Sequence, residues 1–355
     1  MKIAVYTIAL NEEQFVKRWA ESAQDADYLL IADTGSTDDT VETARSLGVN
    51  VVPITISPWR FDDARNASLA VLPNDIDLCI ALDMDEVLVE GWRKHLEGIN
   101  PDTTRPRYRY IWSWLGDGTP GLVYGGDKIH RRHGYRWRQP VHETLTPTSV
   151  ERQEWIGVEI QHHPDDTKSR SQYFPLLELA RREAPHDERT AFYYARELYY
   201  HKKYEQAKEE FQRFLALPTA TWAPERAAAM RLIAKMGYEQ MRWYTLATLE
   251  SPDRREPWVD LAQYLHDIKD WEGCLVATKR ALAITEKAME YLCEAEAWGS
   301  RPHDLASVAL WNLGRKSEAI DQCGLALEAE PDNQRIQGNL AMMSGVSQQL
   351  LDGSQ

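Results

Sequence analysis

The feature that most limits how this chain can fold is a change of periodicity halfway along it. From about residue 171 the sequence has helical spacing and almost no strand signal, and short patterns return at near-constant intervals. Tyr204-Glu205-Gln206-Ala207 recurs 34 residues later as Tyr238-Glu239-Gln240-Met241. Pro218 and Pro252 are also 34 apart, and Trp271-Glu272-Gly273-Cys274 follows Tyr238 by 33. A more distant copy, Lys316-Ser317-Glu318-Ala319, runs through Ala326 to Pro331. An aromatic, a small residue and a terminal Pro at this period describe paired helices: small residues let them approach, and Pro ends the second. The longer gap from Trp271 to Lys316, 45 residues, predicts an insertion near Trp298–His303. Residues 332–346 read as a capping helix and residues 347–355 as a frayed tail.

The first half alternates differently. Lys2–Ile8 is an apolar, partly β-branched strand, and Asn11 is placed to cap a helix to about Ala23. Tyr28–Ala32 is a second strand ending in Asp33. Asp39-Thr40-Val41-Glu42 reads as a capping box opening a helix to Leu47, with Asp38 or Asp39 as its cap. Val51–Ile56 is a third strand, at an edge because of Pro53. Asp63–Leu72 is helical, and Ile76–Leu82 is a buried fourth strand ending in Asp83. Strand–helix alternation with short links predicts a mostly parallel α/β sheet, whose ligands bind beyond the carboxyl ends of the strands. Asp33 and Asp83 both fall there. No GxGxxG follows the first strand and no GxxxxGK[ST] occurs, so dinucleotide and P-loop sites lack their motifs.

With 355 residues, two domains are expected, 1–165 and 171–346. The 43% hydrophobic and 27% charged content fits a globular chain. Four dispersed cysteines without a CxxC pair argue against a disulfide framework or structural zinc. No apolar run is long enough to span a membrane, and a strand begins directly after Met1, so a cytoplasmic location is expected. The net charge of −14 disfavours a general nucleic-acid-coating role.

The 34-residue pattern resembles the tetratricopeptide repeat, a helix–turn–helix unit. In the first half, Ala81-Leu82-Asp83-Met84-Asp85-Glu86 sets two carboxylates at i and i+2 where a buried strand stops. That spacing suits a hard cation, Mg²⁺ or Mn²⁺, that keeps positions open for phosphate oxygens. Together with Thr7-Ile8-Ala9-Leu10-Asn11-Glu12-Glu13, Ala32-Asp33-Thr34-Gly35-Ser36-Thr37-Asp38-Asp39-Thr40 and Ala64-Arg65-Asn66, this motif resembles the ordered landmarks of family 2 glycosyltransferases of the GT-A fold, over roughly residues 1–165. The resemblance implies an inverting transferase with a nucleotide-sugar donor, usually a UDP-sugar, and a divalent metal. The family commonly has a second Asp where this chain has Thr34.

Carried over residue by residue, Thr7 would line the nucleobase pocket, Glu13 would approach the ribose, and Asp33 would accept the uracil N–H. Arg65 would face the phosphates, Asp83 would touch ribose or metal, and Asp85 would bind the metal. In similar transferases with helical repeats a Trp-x-x-x-Val-His-Glu stretch follows; here it is Trp137 to Val141-His142-Glu143. His142 is a candidate metal or diphosphate ligand, and Glu143 is the candidate general base, with Asp127 and Asp117 as competitors. Arg65 as a surface ion pair and Glu13 as plain helix surface are the simpler alternatives.

Between Lys128 and Arg138 lie five cations, Lys128, Arg131, Arg132, Arg136 and Arg138, interleaved with His130, His133, Tyr135 and Trp137. They read as a solvated run, as neutralisers of the donor diphosphate, or as a grip on a phosphorylated acceptor. His162-His163, followed by Lys168, reads as a junction that could reach the site, and Trp112, Trp114, Asp117 and Tyr124 as sugar contacts or core. The expected function is glycosyl transfer to a macromolecular acceptor, a protein or peptide or a glycan. A modified nucleic-acid base as acceptor, or a non-catalytic repeat scaffold, are the alternatives.

Overall fold

The computed structural model describes residues 1–165 and 173–345. Lys168, Ser171 and the expected tail 347–355 lie outside the described residues. The chain divides into two compact units, Met1–Pro185 and His186–Gln355.

In the first unit β1 (Ile3–Ala9), α1 (Glu13–Ser22), β2 (Tyr28–Asp33), α2 (Thr40–Ser46), β3 (Asn50–Pro53), α3 (Phe61–Ala70) and β4 (Leu78–Ala81) alternate in order. They are followed by β5 (Glu86–Leu88), α4 (Trp92–Glu97), β6 (Arg105–Ile111), β7 (Val123–Gly126), β8 (Ile129–Arg131), β9 (Tyr135–Arg138), β10 (Thr144–Pro147), β11 (Gln153–His162) and α5 (Tyr173–Glu183). The main sheet runs β3-β2-β1-β4-β8, its first four strands parallel and β8 antiparallel. A second sheet, β5-β11-β6-β7, and the β9–β10 hairpin complete the unit. The sequence analysis left these later strands unassigned.

The alternation along the strands explains the layers. Ile3 and Val5 of β1 pack with Phe15, Val16 and Trp19 of α1, while Ala4 and Tyr6 face Leu69, Trp137 and Leu145 on the other side. Trp19 is fully buried, and its indole N–H donates to Leu82 O at 3.0 Å, tying α1 to the end of β4. Asn11 differs from its expected role as helix cap. It sits at φ 56°, one residue outside the cap position, and its side-chain oxygen accepts the Thr37 N–H at 2.8 Å, joining two rim loops instead. Asp38 accepts the N–H groups of Thr40 and Glu13 at 3.1 and 3.2 Å, the first residues of α2 and α1. A single carboxylate thus serves two helix starts.

A closed polar chain lies under the sheet. The Trp137 indole N–H donates to the Tyr6 hydroxyl at 3.0 Å, Tyr6 donates to His130 Nε2 at 3.0 Å, and His130 Nδ1 donates to Arg131 O at 2.7 Å. That chain is complete only with a neutral imidazole. Burial depresses the His130 pKa to about 3.

The second unit is all helical: α6 (Glu188–Tyr200), α7 (Tyr204–Ala216), α8 (Ala223–Lys235), α9 (Gln240–Glu250), α10 (Arg255–Asp267), α11 (Trp271–Leu282), the short α12 (Ala295–Trp298), α13 (Arg301–Asn312), α14 (Lys316–Ala329) and α15 (Gln334–Ser344). The recurring patterns mark the starts of α7, α9, α11 and α14, the second helix of each pair. Buried alanines such as Ala229, Ala262, Ala277 and Ala309 let the helices approach closely. The inserted chain is residues 283–300, starting earlier than expected, and His303 already lies within α13. Among the described residues no helix is long and apolar enough to cross a membrane.

Two outcomes follow for stability. A methyl group on Gly126 would sit 2.2 Å from the ring of fully buried Tyr108, whereas Gly338 in α15 has open space. Gly126→Ala should therefore destabilise by roughly 1–3 kcal/mol, and Gly338→Ala should stabilise by about 0.5–1 kcal/mol, both read by thermal unfolding. His130 binds its proton only in the unfolded chain between the ordinary pKa of 6.5 and about 3, so stability is complete above pH 6.5 and falls on acidification. The fall is about 1.4 kcal/mol per pH unit. His130→Phe should flatten the dependence measured between pH 6.5 and 4.5; an unchanged slope would mean the imidazole is not held neutral.

Candidate functional site

Three parallel strands bring the candidate residues to one rim. In the register of β1 with β2, Ala9 pairs with Asp33, and in that of β1 with β4, Tyr6 pairs with Ala81. The strand order reverses at β1, and at such a switch point an open α/β sheet forms its crevice. Thr7 is buried near the end of β1, and Glu13 is exposed at the start of α1. Asp33 is buried and accepts the N–H groups of Gly35 and Ser36, each at 3.1 Å. These bonds fix the turn and still leave acceptor capacity, since a carboxylate offers about four lone-pair sites.

Beyond β4 the charges interlock. Arg65, on α3, donates from Nη2 to Asp83 at 2.7 Å and from Nε to Glu143, and lies 5.0 Å over the Trp137 ring. Its remaining nitrogen, Nη1, is buried without a partner. Arg65 is thus no surface ion pair. Lys128 reaches the other oxygen of Asp83 at 2.6 Å and Glu86 at 3.0 Å. Glu86, almost wholly buried, also accepts the Tyr110 hydroxyl and the Asp83 N–H. Burial works to raise the pKa of Asp83, but Arg65 and Lys128 outweigh it and hold the group well below the usual carboxylate range. Burial, reinforced by the charge of Asp83 against the pull of Lys128, raises that of Glu86.

Asp85 is free of that lattice and meets a different partner. His162 Nε2 lies 3.3 Å from its Oδ2, while Nδ1 donates to Trp112 O at 2.9 Å and the ring stacks on Trp112 at 4.3 Å. With the proton on Nδ1, a neutral imidazole turns its Nε2 lone pair toward the carboxylate. Two acceptors then face each other, and a cation or a second ring proton is needed between them. Burial opposes a charged ring, but Asp85 and the Trp112 carbonyl favour it, and the pKa lies above its ordinary value.

Among the described residues no three His, Cys, Asp or Glu side chains are grouped to hold a metal alone. Asp85 and His162 offer two donors, which suits a cation whose other positions go to phosphate oxygens and water. In sequence His162 reads as part of a junction that could reach the site, with no role assigned. Its signal lay in the strand that it ends, because β11 pairs antiparallel with β5 and sets His162 opposite Glu86, next to Asp85.

His142 sits at φ 50° with its ring edge-on to Tyr173, 5.7 Å away. Glu143 is brought to the rim by its bond to Arg65. Asp127 is half exposed, 3.7 Å from Arg105, and Asp117 folds its own turn by accepting from Thr119. The basic run divides. Lys128 turns into the rim, Arg131 donates to the carbonyls of Thr103 and Pro101, and Arg132 to those of Leu72 and Pro73. Arg136 and Arg138 are exposed on β9.

No family model matches the chain. A thermophilic TPR protein of Thermus thermophilus is 17% identical over 48% of this chain and 88% of its own, with a TM-score of 0.34. Glucosyl-3-phosphoglycerate synthase of Mycobacterium tuberculosis, solved with Mn²⁺, UDP and phosphoglyceric acid, is 26% identical over 31% of this chain and 43% of its own, with a TM-score of 0.26. Overlaps this slight transfer no function. In sequence, 109 residues are 31% identical to an uncharacterised glycosyltransferase of Rickettsia typhi, covering 30% of this chain and 36% of that protein. The chain thus spans about a third of the curated relative it matches. The similarity that bears on chemistry is to a glycosyltransferase, over less than a third of this chain.

Proposed function

We propose that the first unit is a GT-A, family 2-type transferase that moves a sugar from a UDP-sugar to an acceptor hydroxyl, with inversion and with a divalent cation, Mn²⁺ or Mg²⁺. The observation that carries this reading is the pairing of Asp85 with His162 beside an Asp83 already neutralised by Arg65 and Lys128. Asp85 and the His162 nitrogen that faces it are left for a cation, while the neighbouring carboxylate is closed to it. The sequence likeness to a glycosyltransferase supports the same chemistry.

In this reading Asp85 and His162 hold the cation, which when bound supplies positive charge to the departing diphosphate. Arg65 sets a fixed positive charge beside the diphosphate, and Asp83 holds its guanidinium in place. Such preorganised charge acts where leaving-group charge develops, without reorganisation during the reaction. Asp33 and Thr7 bound the nucleobase end of the crevice, and Glu13 lies toward the ribose. Glu143 takes the acceptor proton as the hydroxyl attacks the sugar carbon from the face opposite the diphosphate. His142 remains a candidate metal or diphosphate ligand from the same loop. The acceptor is a protein, peptide or glycan. A nucleic-acid acceptor draws less support, because three of the five cations between Lys128 and Arg138 serve internal acceptors.

A panel of nucleotide-sugars assayed by UDP release tests the reading. Asp85→Asn should lower the rate at least 100-fold, since a lost ligand removes several kcal/mol of charge stabilisation in the transition state. Full activity of that variant, or of the unaltered protein in EDTA, would remove the metal from the account. Glu143→Gln should bind UDP normally and lose transfer. If UDP binding falls equally, Glu143 is instead the residue that positions Arg65.

A further inference from the structure

The inserted residues 283–300 pack back onto the helical unit, with Cys293 and Ala297 buried. In the helical unit α6, α8, α10 and α13, the first helices of the pairs, pack on one another in succession and form one row of the stack, called here the inner row. The insertion runs back across this row. Arg255 donates to Ile284 O at 2.8 Å, Arg254 binds Glu290 at 2.8 Å, and Arg231 binds Glu294 at 2.7 Å. Glu256 accepts the Glu294 backbone N–H at 3.1 Å, holding the segment by its main chain. Tyr291 is the anchor: its hydroxyl donates to buried Glu225, and its ring lies 6.3 Å from Tyr193 at 21° and 5.7 Å from Trp222.

These contacts are those of a bound peptide. Residues 284–289 have no helix or strand of their own, and 284–294 reach three successive helix pairs. An aromatic ring enters an aromatic recess, carboxylates meet arginines on either side, and two backbone groups are read. We propose that the inner face of the helical unit is a recognition surface for an acidic peptide that presents a tyrosine in a turn, and that residues 284–298 are its resident, tethered occupant. An outside peptide of the same chemistry must displace the segment to bind. The tether gives the resident a high effective concentration, which sets the affinity a competitor needs.

The inference stands apart from the glycosyltransferase reading, and its test needs no enzymatic activity. The probe is a labelled synthetic peptide of residues 284–298. Two full-length variants are used: one with residues 286–293 replaced by a Gly/Ser linker of equal length, and the double variant Tyr291→Ala, Glu290→Lys. Fluorescence anisotropy should show at least tenfold tighter peptide binding by either folded variant than by the unaltered protein. Peptides carrying Tyr291→Ala or Glu290→Lys should bind the linker variant at least tenfold more weakly than the unaltered peptide. If neither folded variant takes up the peptide, or the altered peptides bind equally well, the surface does not recognise this chemistry and the inference fails. If both variants lose their cooperative thermal transition, the segment is part of the core rather than an occupant, which overturns it equally.

Discussion

The rim of the first unit depends on how one carboxylate is neutralised. Asp83 stands where β4 ends, and alone it would be a charge left partly out of water. Arg65 from α3 and Lys128 from the chain before β8 each take one of its oxygens, and the same two cations reach Glu143 and Glu86. Removing one partner from such a lattice leaves the others with uncompensated charge, so it holds four chain segments in register. It also divides the labour of the two aspartates: Asp83 is closed by organic cations and Asp85 stays open toward His162. An i, i+2 pair of carboxylates thus becomes one structural and one available group.

The sequence disclosed the first four strands and three helices because their residues alternate with period 2 or 3.6 and are bounded by turn residues. Asp33, Asp83 and Arg65 were legible because strand ends and the following helix place them on one side of the sheet. His162 and the partners of Lys128 were not. They depend on antiparallel strands whose register is set across the chain, as when β11 sets His162 opposite Glu86, 76 residues earlier in numbering. The basic run misled for a related reason. Charge spacing along the sequence does not say which cations turn inward, and Arg132 and Lys128 do so because buried carbonyls and carboxylates lie waiting for them.

In the second unit the period located the helix pairs, since each recurring pattern marks the same place in its pair. The period also shows that it breaks before α13, though the break begins at residue 283, earlier than expected, and it does not show what the extra residues do. Their path over the inner row is decided by long-range pairs such as Arg231 with Glu294 and Tyr291 with Glu225. No local pattern encodes these.

The central claim is that the rim between β1, β2 and β4 takes a nucleoside diphosphate through a divalent cation. Calorimetric titration of UDP into the full-length protein, once with Mn²⁺ and once with EDTA, tests it most directly. The account predicts saturable one-to-one binding with Mn²⁺ and affinity at least tenfold weaker without it. Equal affinity under both conditions, or no binding under either, would contradict it.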